Sequence, residues 1–185
     1  MASLKVLGNF QKDNFGMGGK GNDAVVINVL NPSKFNSADF MTPPDGHQHT
    51  DEARGMGEGW SDVMALIVLA KSSDTATTGI PIVWASMLWE VYWNLVSKHG
   101  FSTNLYTPDQ SAGNIVAMKI IIGAMMLQPC NPTFLSARDA IVAADALHYQ
   151  GANKCEILKG FAKRGLGFKA TSSYSNDFSL PPECQ

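Results

Sequence analysis

The chain has 185 residues, 45% of them hydrophobic and 16% charged, with a formal net charge of -2 and a pI near 6.0. That length and apolar content suit one globular domain around one core, and the near-neutral charge confers no general affinity for nucleic acid or an anionic membrane. No run approaches the roughly 18 apolar residues of a membrane span, and residues 1–5 lack the apolar core of a signal peptide; a leaderless or already processed chain with no membrane partner is expected.

Residues 1–57 are rich in Gly, Asn and Pro, and one strand is expected there, at residues 24–29 (AVVINV), an apolar run between turn signals. A helical texture follows. Residues 60–70 (WSDVMALIVLA) have no breaker and are apolar almost all round, the pattern of a buried helix. Pro81 suits a first helical turn, and the segment from Ile82 runs as a second helix to a stop at Gly100. A third is expected over 114–128, with Asn114 as its cap and Pro129 beyond its end. A fourth, from about Ser136 to Gln150, carries Ala140, Ile141, Ala144 and Leu147 on one face. A fifth spans 153–164, with Lys163 and Arg164 at its negative end and Gly165 beyond. The polar tail with two prolines is expected to be extended. The sequence thus divides into an irregular, β-containing segment (1–57), a bundle of five helices (58–167) and a tail (168–185), a mainly α single domain.

Cys130, Cys155 and Cys184 are odd in number and lack the paired C-x-x-C spacing of a structural zinc site. At most one internal disulfide can form, worth about 3 kcal/mol in the chain-entropy model, and three buried thiols is the alternative.

Six stretches, taken together, resemble the catalytic domain of the fungalysins, secreted fungal zinc peptidases of the thermolysin-like kind. They are GNFQKDNFGMGGKGNDAVVINV (8–29), ADFMTPPDG (38–46), GMGEGWSD (55–62), WASMLWEVYWNLVSKHGFST (84–103), LQPCNPTFLSARDAI (127–141) and GANKCEILKGFAKRGLG (151–167). The resemblance implies one helical lobe of a two-lobed enzyme in which H-E-x-x-H supplies two zinc ligands and the base, and a later glutamate completes the site. Glu58 matches that glutamate, and Asp62 its neighbour one turn on. Where the family carries the long stretch with H-E-x-x-H, this sequence has only His47-Gln48-His49-Thr50-Asp51, and no H-E-x-x-H occurs in the 185 residues. The family's V-H-x-I-G-E-V-W pattern, whose histidine stabilises the tetrahedral intermediate, has Thr78 and Ile82 at its histidine and glutamate positions. An incomplete zinc site, no cofactor and no peptidase activity are the expectation. The resemblance also implies a Cys130–Cys155 disulfide, with Cys184 deprived of its partner.

Candidate sites remain. His47 and His49 could face one way on an extended segment and, with Glu58, hold a metal; a polar loop is the plainer reading. Glu58 could instead cap the helix it starts. Loss of the covering lobe is expected to expose Trp84, Trp89, Tyr92 and Trp93, a surface for a protein partner. Lys159, Lys163, Arg164 and Lys169, interleaved with Phe161 and Phe168, form a basic-aromatic stretch able to hold phosphates, or else a solvated helix face over core phenylalanines. Three functions fit. The first is a fungal defence toxin acting on the ribosome as an rRNA N-glycosylase, with Glu58, Arg54, Trp60 and Tyr106 in the site, by analogy of size and source with small ribosome-inactivating proteins. The second is a non-catalytic binding or regulatory pseudo-protease. The third is a relict metal-binding enzyme using His47 and His49.

Overall fold

The computed structural model describes residues 50–75, 83–107 and 111–185. The strand expected at 24–29, His47 and His49 lie outside the described residues, as do Thr78 and Ile82. Five helices follow one another: α1 (Asp51–Leu69), α2 (Val83–His99), α3 (Gly113–Leu127), α4 (Phe134–Tyr149) and α5 (Lys154–Lys163), with a closing 3-10 turn at Pro182–Cys184. The described part is mainly α. Its one β feature is an isolated parallel bridge between Leu166 and Asp177.

The second helix is central, packing on α1, α3 and α5, while α4 closes the group against α3 and α5. That is why α2 buries residues almost all round, from Trp84 and Ala85 to Tyr92 and Leu95. Close crossings depend on glycine. A Cβ on Gly160 of α5 would lie 2.7 Å from the Val91 backbone nitrogen, and one on Gly113 at the start of α3 would lie 2.1 Å from the Leu95 carbonyl oxygen. Gly59 does the same for α1, where a Cβ would sit 2.8 Å from Cβ of Trp84.

Helix α1 begins at Asp51, nine residues before the expected start at Trp60, so the boundary drawn at residue 57 falls inside it. Thr50 is the cap: its hydroxyl accepts the Ala53 N–H at 3.1 Å, and Asp51 and Glu52 place negative charge in the positive first turn. The cap and the packing at Gly59 outweigh the weak helix propensity of Gly55, Gly57 and Gly59. Asn114 is not the α3 cap; it lies inside the helix, fully buried, where its amide accepts the Ser102 N–H at 2.9 Å and donates to the Ser102 carbonyl at 2.7 Å. Helix α4 starts two residues early because Thr133 and Ser136 form a reciprocal capping box. On α4, Ala140, Ile141 and Ala144 are buried as expected, whereas Leu147, nearer the end, is 68% exposed.

The implied Cys130–Cys155 pairing is replaced by a Cys155–Cys184 disulfide, with Cα atoms 5.1 Å apart. The cause is geometric. Cys130 is exposed on the α3–α4 link and Cys155 lies in the first turn of α5, so the 16-residue α4 stands between them. That helix is roughly 24 Å long, well beyond the reach of a disulfide. The tail is not simply extended; it folds back, with the Gly167 N–H donating to Asp177 O at 2.8 Å and the Phe168 N–H to Ser179 O at 2.9 Å, and so delivers Cys184 to α5.

Candidate functional site

Glu58 projects to solvent from the middle of α1, two turns past the Thr50 cap, and so does not cap that helix. Its backbone carbonyl accepts the Ser61 hydroxyl at 2.8 Å. Asp62, one turn on, is half-buried, and burial pushes its carboxyl above the ordinary carboxylate range. Arg54 lies on the same helix. Trp60 does not share that exposure. It is 1% exposed and meets Trp84 edge-on at 5.1 Å, while Trp84 stacks between Phe134 and Phe161, each at 5.6 Å. Tyr106, 80% exposed, is on the α2–α3 connection, with its backbone N–H bound to the Asn104 side chain at 3.0 Å. Of the expected nucleobase site, Glu58 is thus exposed on α1, Trp60 is in the core and Tyr106 is on a loop.

The aromatic residues expected on a bared interlobe face are buried instead. Trp84, Trp89 and Tyr92 are 1%, 3% and 0% exposed, and Trp93 is half-buried against the core. Trp89 and Tyr92 stack at 4.7 Å, with Trp93 edge-on to both. The lobe's own helices cover α2 on several sides, so these rings need no second lobe to bury them. The Tyr92 phenol is held well above its ordinary range by burial and, secondarily, by the Asp74 carboxylate.

The basic stretch is also largely spoken for. Glu90, 3% exposed, accepts from Lys163 Nζ at 2.7 Å and from Arg164 at 2.7 and 3.1 Å. Lys159 and Lys169 are exposed, Phe168 is 46% exposed, and Phe161 is wholly core. Two cations that already neutralise a buried carboxylate offer less to a phosphate than their number suggests.

Two polar networks were not expected from the sequence. Glu52 joins three elements: one carboxylate oxygen accepts the Phe134 N–H at 2.7 Å, opening α4, and the other accepts the Tyr174 hydroxyl at 2.9 Å. In the second, fully buried Asp145 accepts the backbone and side-chain N–H groups of Asn153 at 2.9 and 2.8 Å, and the Asn153 side-chain amide oxygen, Oδ1, meets His99 Nε2 at 2.6 Å. Because that oxygen can only accept, His99 donates from Nε2. The signal for Asp145 was present: an acid directly after Ala144 on the apolar face of α4. An open depression of about 670 Å³ adjoins His99 and is lined by Phe101, Ser102, Thr103 and Ser111 as well. Among the described residues, no three His, Cys, Asp or Glu side chains converge as a metal site would require. No described helix is long and apolar enough to cross a membrane.

These features define, among the described residues, a mainly α lobe of five helices. The model of the fungalysin metallopeptidases (M36) matches residues 5–50 and 76–170, and the chain belongs to that family. Extracellular metalloproteinase 2 of Phaeosphaeria nodorum is 36% identical over 253 residues, covering 86% of this chain and 40% of that protein. Probable extracellular metalloproteinases 2 and 1 of Arthroderma benhamiae are 32% and 34% identical, each covering 96% of this chain and 43% of the relative. The chain thus spans about two-fifths of the length of the curated relatives it matches. Each aligned stretch exceeds the chain's 185 residues, so the relatives carry residues inside the aligned region that this chain lacks. The family-model match skips residues 51–75, which include α1 and Glu58.

Proposed function

We propose that this chain is a non-proteolytic member of the fungalysin family that acts as a binding or regulatory protein through its helical lobe. The observation that carries this reading is the absence of H-E-x-x-H from the 185 residues: the five residues 47–51 stand where the family pattern has a long stretch carrying that motif. A thermolysin-type zinc needs three protein ligands and a base within reach of the fourth-position water. The donor set does not fit zinc, because Glu58 stands exposed on α1 with Asp62 as its neighbour and no paired histidines of that motif. These residues provide no zinc-activated water for hydrolysis.

The test is a casein assay on the purified full chain with added zinc, alongside capture of the full-length family enzyme by the immobilised chain. No cleavage, together with a complex at micromolar concentration, is the expected result. Casein cleavage abolished by a chelator would overturn the non-proteolytic reading, and no complex would count against the binding role. A relict metal-binding role for His47 and His49 predicts stoichiometric zinc, copper or manganese in protein purified without chelator.

The ribosome-directed reading has less support. Its stacking ring, Trp60, is in the core, and Lys163 and Arg164 are held by Glu90. Tyr106 is the exposed aromatic that favours it, and inhibition of translation in a lysate with loss of one adenine from the ribosomal RNA would restore it.

A further inference from the structure

The tail is held in two ways. Residues 165–179 are tied by backbone hydrogen bonds: Gly167 N–H to Asp177 O at 2.8 Å, Asp177 N–H to Gly165 O at 2.8 Å and Phe168 N–H to Ser179 O at 2.9 Å, with Arg138 donating to the Gly167 carbonyl. Residues 180–185 are fastened to α5 differently. Cys184 is 3% exposed and bonded to Cys155, Pro181 is buried, and Glu183 pairs with Lys154 at 2.9 Å in a solvent-exposed contact. An exposed pair of that kind contributes little.

The surface beneath is apolar. Residues 155, 158 and 162, at spacings of three and seven, share one face of α5. Leu158 is 4% exposed and Ala162 5%, yet the main core takes Ile157 and Phe161 from α5 and neither of these two. The turn Pro182–Cys184 packs on α5, and its Cys184 is bonded to Cys155 on this face.

We infer that residues 180–185 form a strap over the Leu158–Ala162 strip of α5, and that the Cys155–Cys184 bond is its redox-controlled fastener. The strap is independent of the function proposed above. A dithiol opens it in two steps: one thiolate attacks a sulfur of the disulfide to give a mixed disulfide, and the second closes the reductant into its own cyclic disulfide. The S–S bond of the protein breaks, two electrons and two protons pass from the dithiol, and Cys155 and Cys184 become thiols. The segment 165–179, held by its own hydrogen bonds, stays in place, and the Leu158–Ala162 strip is uncovered.

The experiment uses the full chain carrying Cys130→Ser, so that thiol exchange cannot move the bond to Cys130. Hydrogen exchange and carbene footprinting are compared before and after dithiothreitol, and again after reoxidation. Reduction is expected to speed exchange at the Cys184 and Gln185 amides by about tenfold and raise carbene labelling of Leu158 several-fold, leaving α2 and α3 unchanged, because local opening costs less than global unfolding. A chain ending at Leu180 should show the same Leu158 labelling without reductant. Unchanged labelling of Leu158 in the reduced or the shortened chain would overturn the proposal. So would accelerated exchange throughout α2 and α3 on reduction, which would make the disulfide a staple for the whole lobe.

Discussion

Glu90 of α2 and Arg164 at the end of α5 meet through two hydrogen bonds to one carboxylate oxygen, at 2.7 and 3.1 Å, and the carboxylate is 3% exposed while the guanidinium is nearly half in water. The asymmetry decides which partner is dispensable. Removing Glu90 leaves two cations that can turn to solvent; removing Arg164 leaves a buried carboxylate with Lys163 alone. Arg164→Ala is therefore expected to destabilise by about 1–3 kcal/mol, a discounted share of the cost of breaking a buried pair, and Lys163→Ala by less. Urea denaturation of the two variants checks the order, and equal losses would contradict it.

Two glycines in helices should respond to alanine with opposite signs. Nothing lies within 4 Å of a Cβ on Gly55, so Gly55→Ala should stabilise by about 0.5–1 kcal/mol through helix propensity alone. On Gly160 the added Cβ would meet the Val91 nitrogen at 2.7 Å and Val91 Cα at 2.9 Å, backbone atoms that cannot swing aside. Gly160→Ala should cost about 1–3 kcal/mol despite its better propensity. Thermal unfolding of both variants reads the sign directly.

The five helices were legible because their apolar periodicity and breakers are local signals, and Gly100, with φ of 79°, ends α2 where a glycine stop was expected. What was misread depended on distance. The α1 start is hidden by three glycines, of which Gly59 owes its value to contact with α2 and not to propensity. Exposure of Trp84, Trp89 and Tyr92 is the expectation from a missing lobe, but their burial is set by α1, α3 and α5, which no local pattern reveals. The cysteine pairing was within reach: a helix expected between Cys130 and Cys155 already holds them apart.

Asp62 and Glu156 should give acid-range effects of opposite sign. Burial raises the Asp62 carboxyl above 3.8, so folding favours its protonated form and stability falls as pH rises through that window. Asp62→Asn should raise stability at pH 7 and have no benefit below about pH 3.8. At Glu156, burial also acts to raise the carboxyl, but the Lys98 hydrogen bond at 2.8 Å and the local backbone outweigh it and hold it below 4.5. Its contribution is present above that value and lost as pH falls through the folded-state value. Glu156→Gln should therefore weaken the fold at pH 7 and converge with the parent in acid. Urea midpoints from pH 2.5 to 7 test both, and parallel curves for either variant would refute its assignment.

Glu52 ties the first turn of α1 to the first turn of α4 and to the tail, and its two hydrogen bonds should be separable. The bond to the Phe134 N–H, 2.7 Å and part-buried, satisfies one of the donors that a helix start leaves unpaired and puts an anion at its positive end. The bond from Tyr174, a residue 76% exposed, competes with water. Tyr174→Phe should change stability little, whereas Glu52→Ala should cost about 1–2 kcal/mol because the α4 donor loses its partner. The readout that separates a clamp from general destabilisation is local: hydrogen exchange at Phe134 and Leu135 should accelerate in Glu52→Ala and not in Tyr174→Phe. If both variants release those amides alike, the tail and not the carboxylate positions the start of α4.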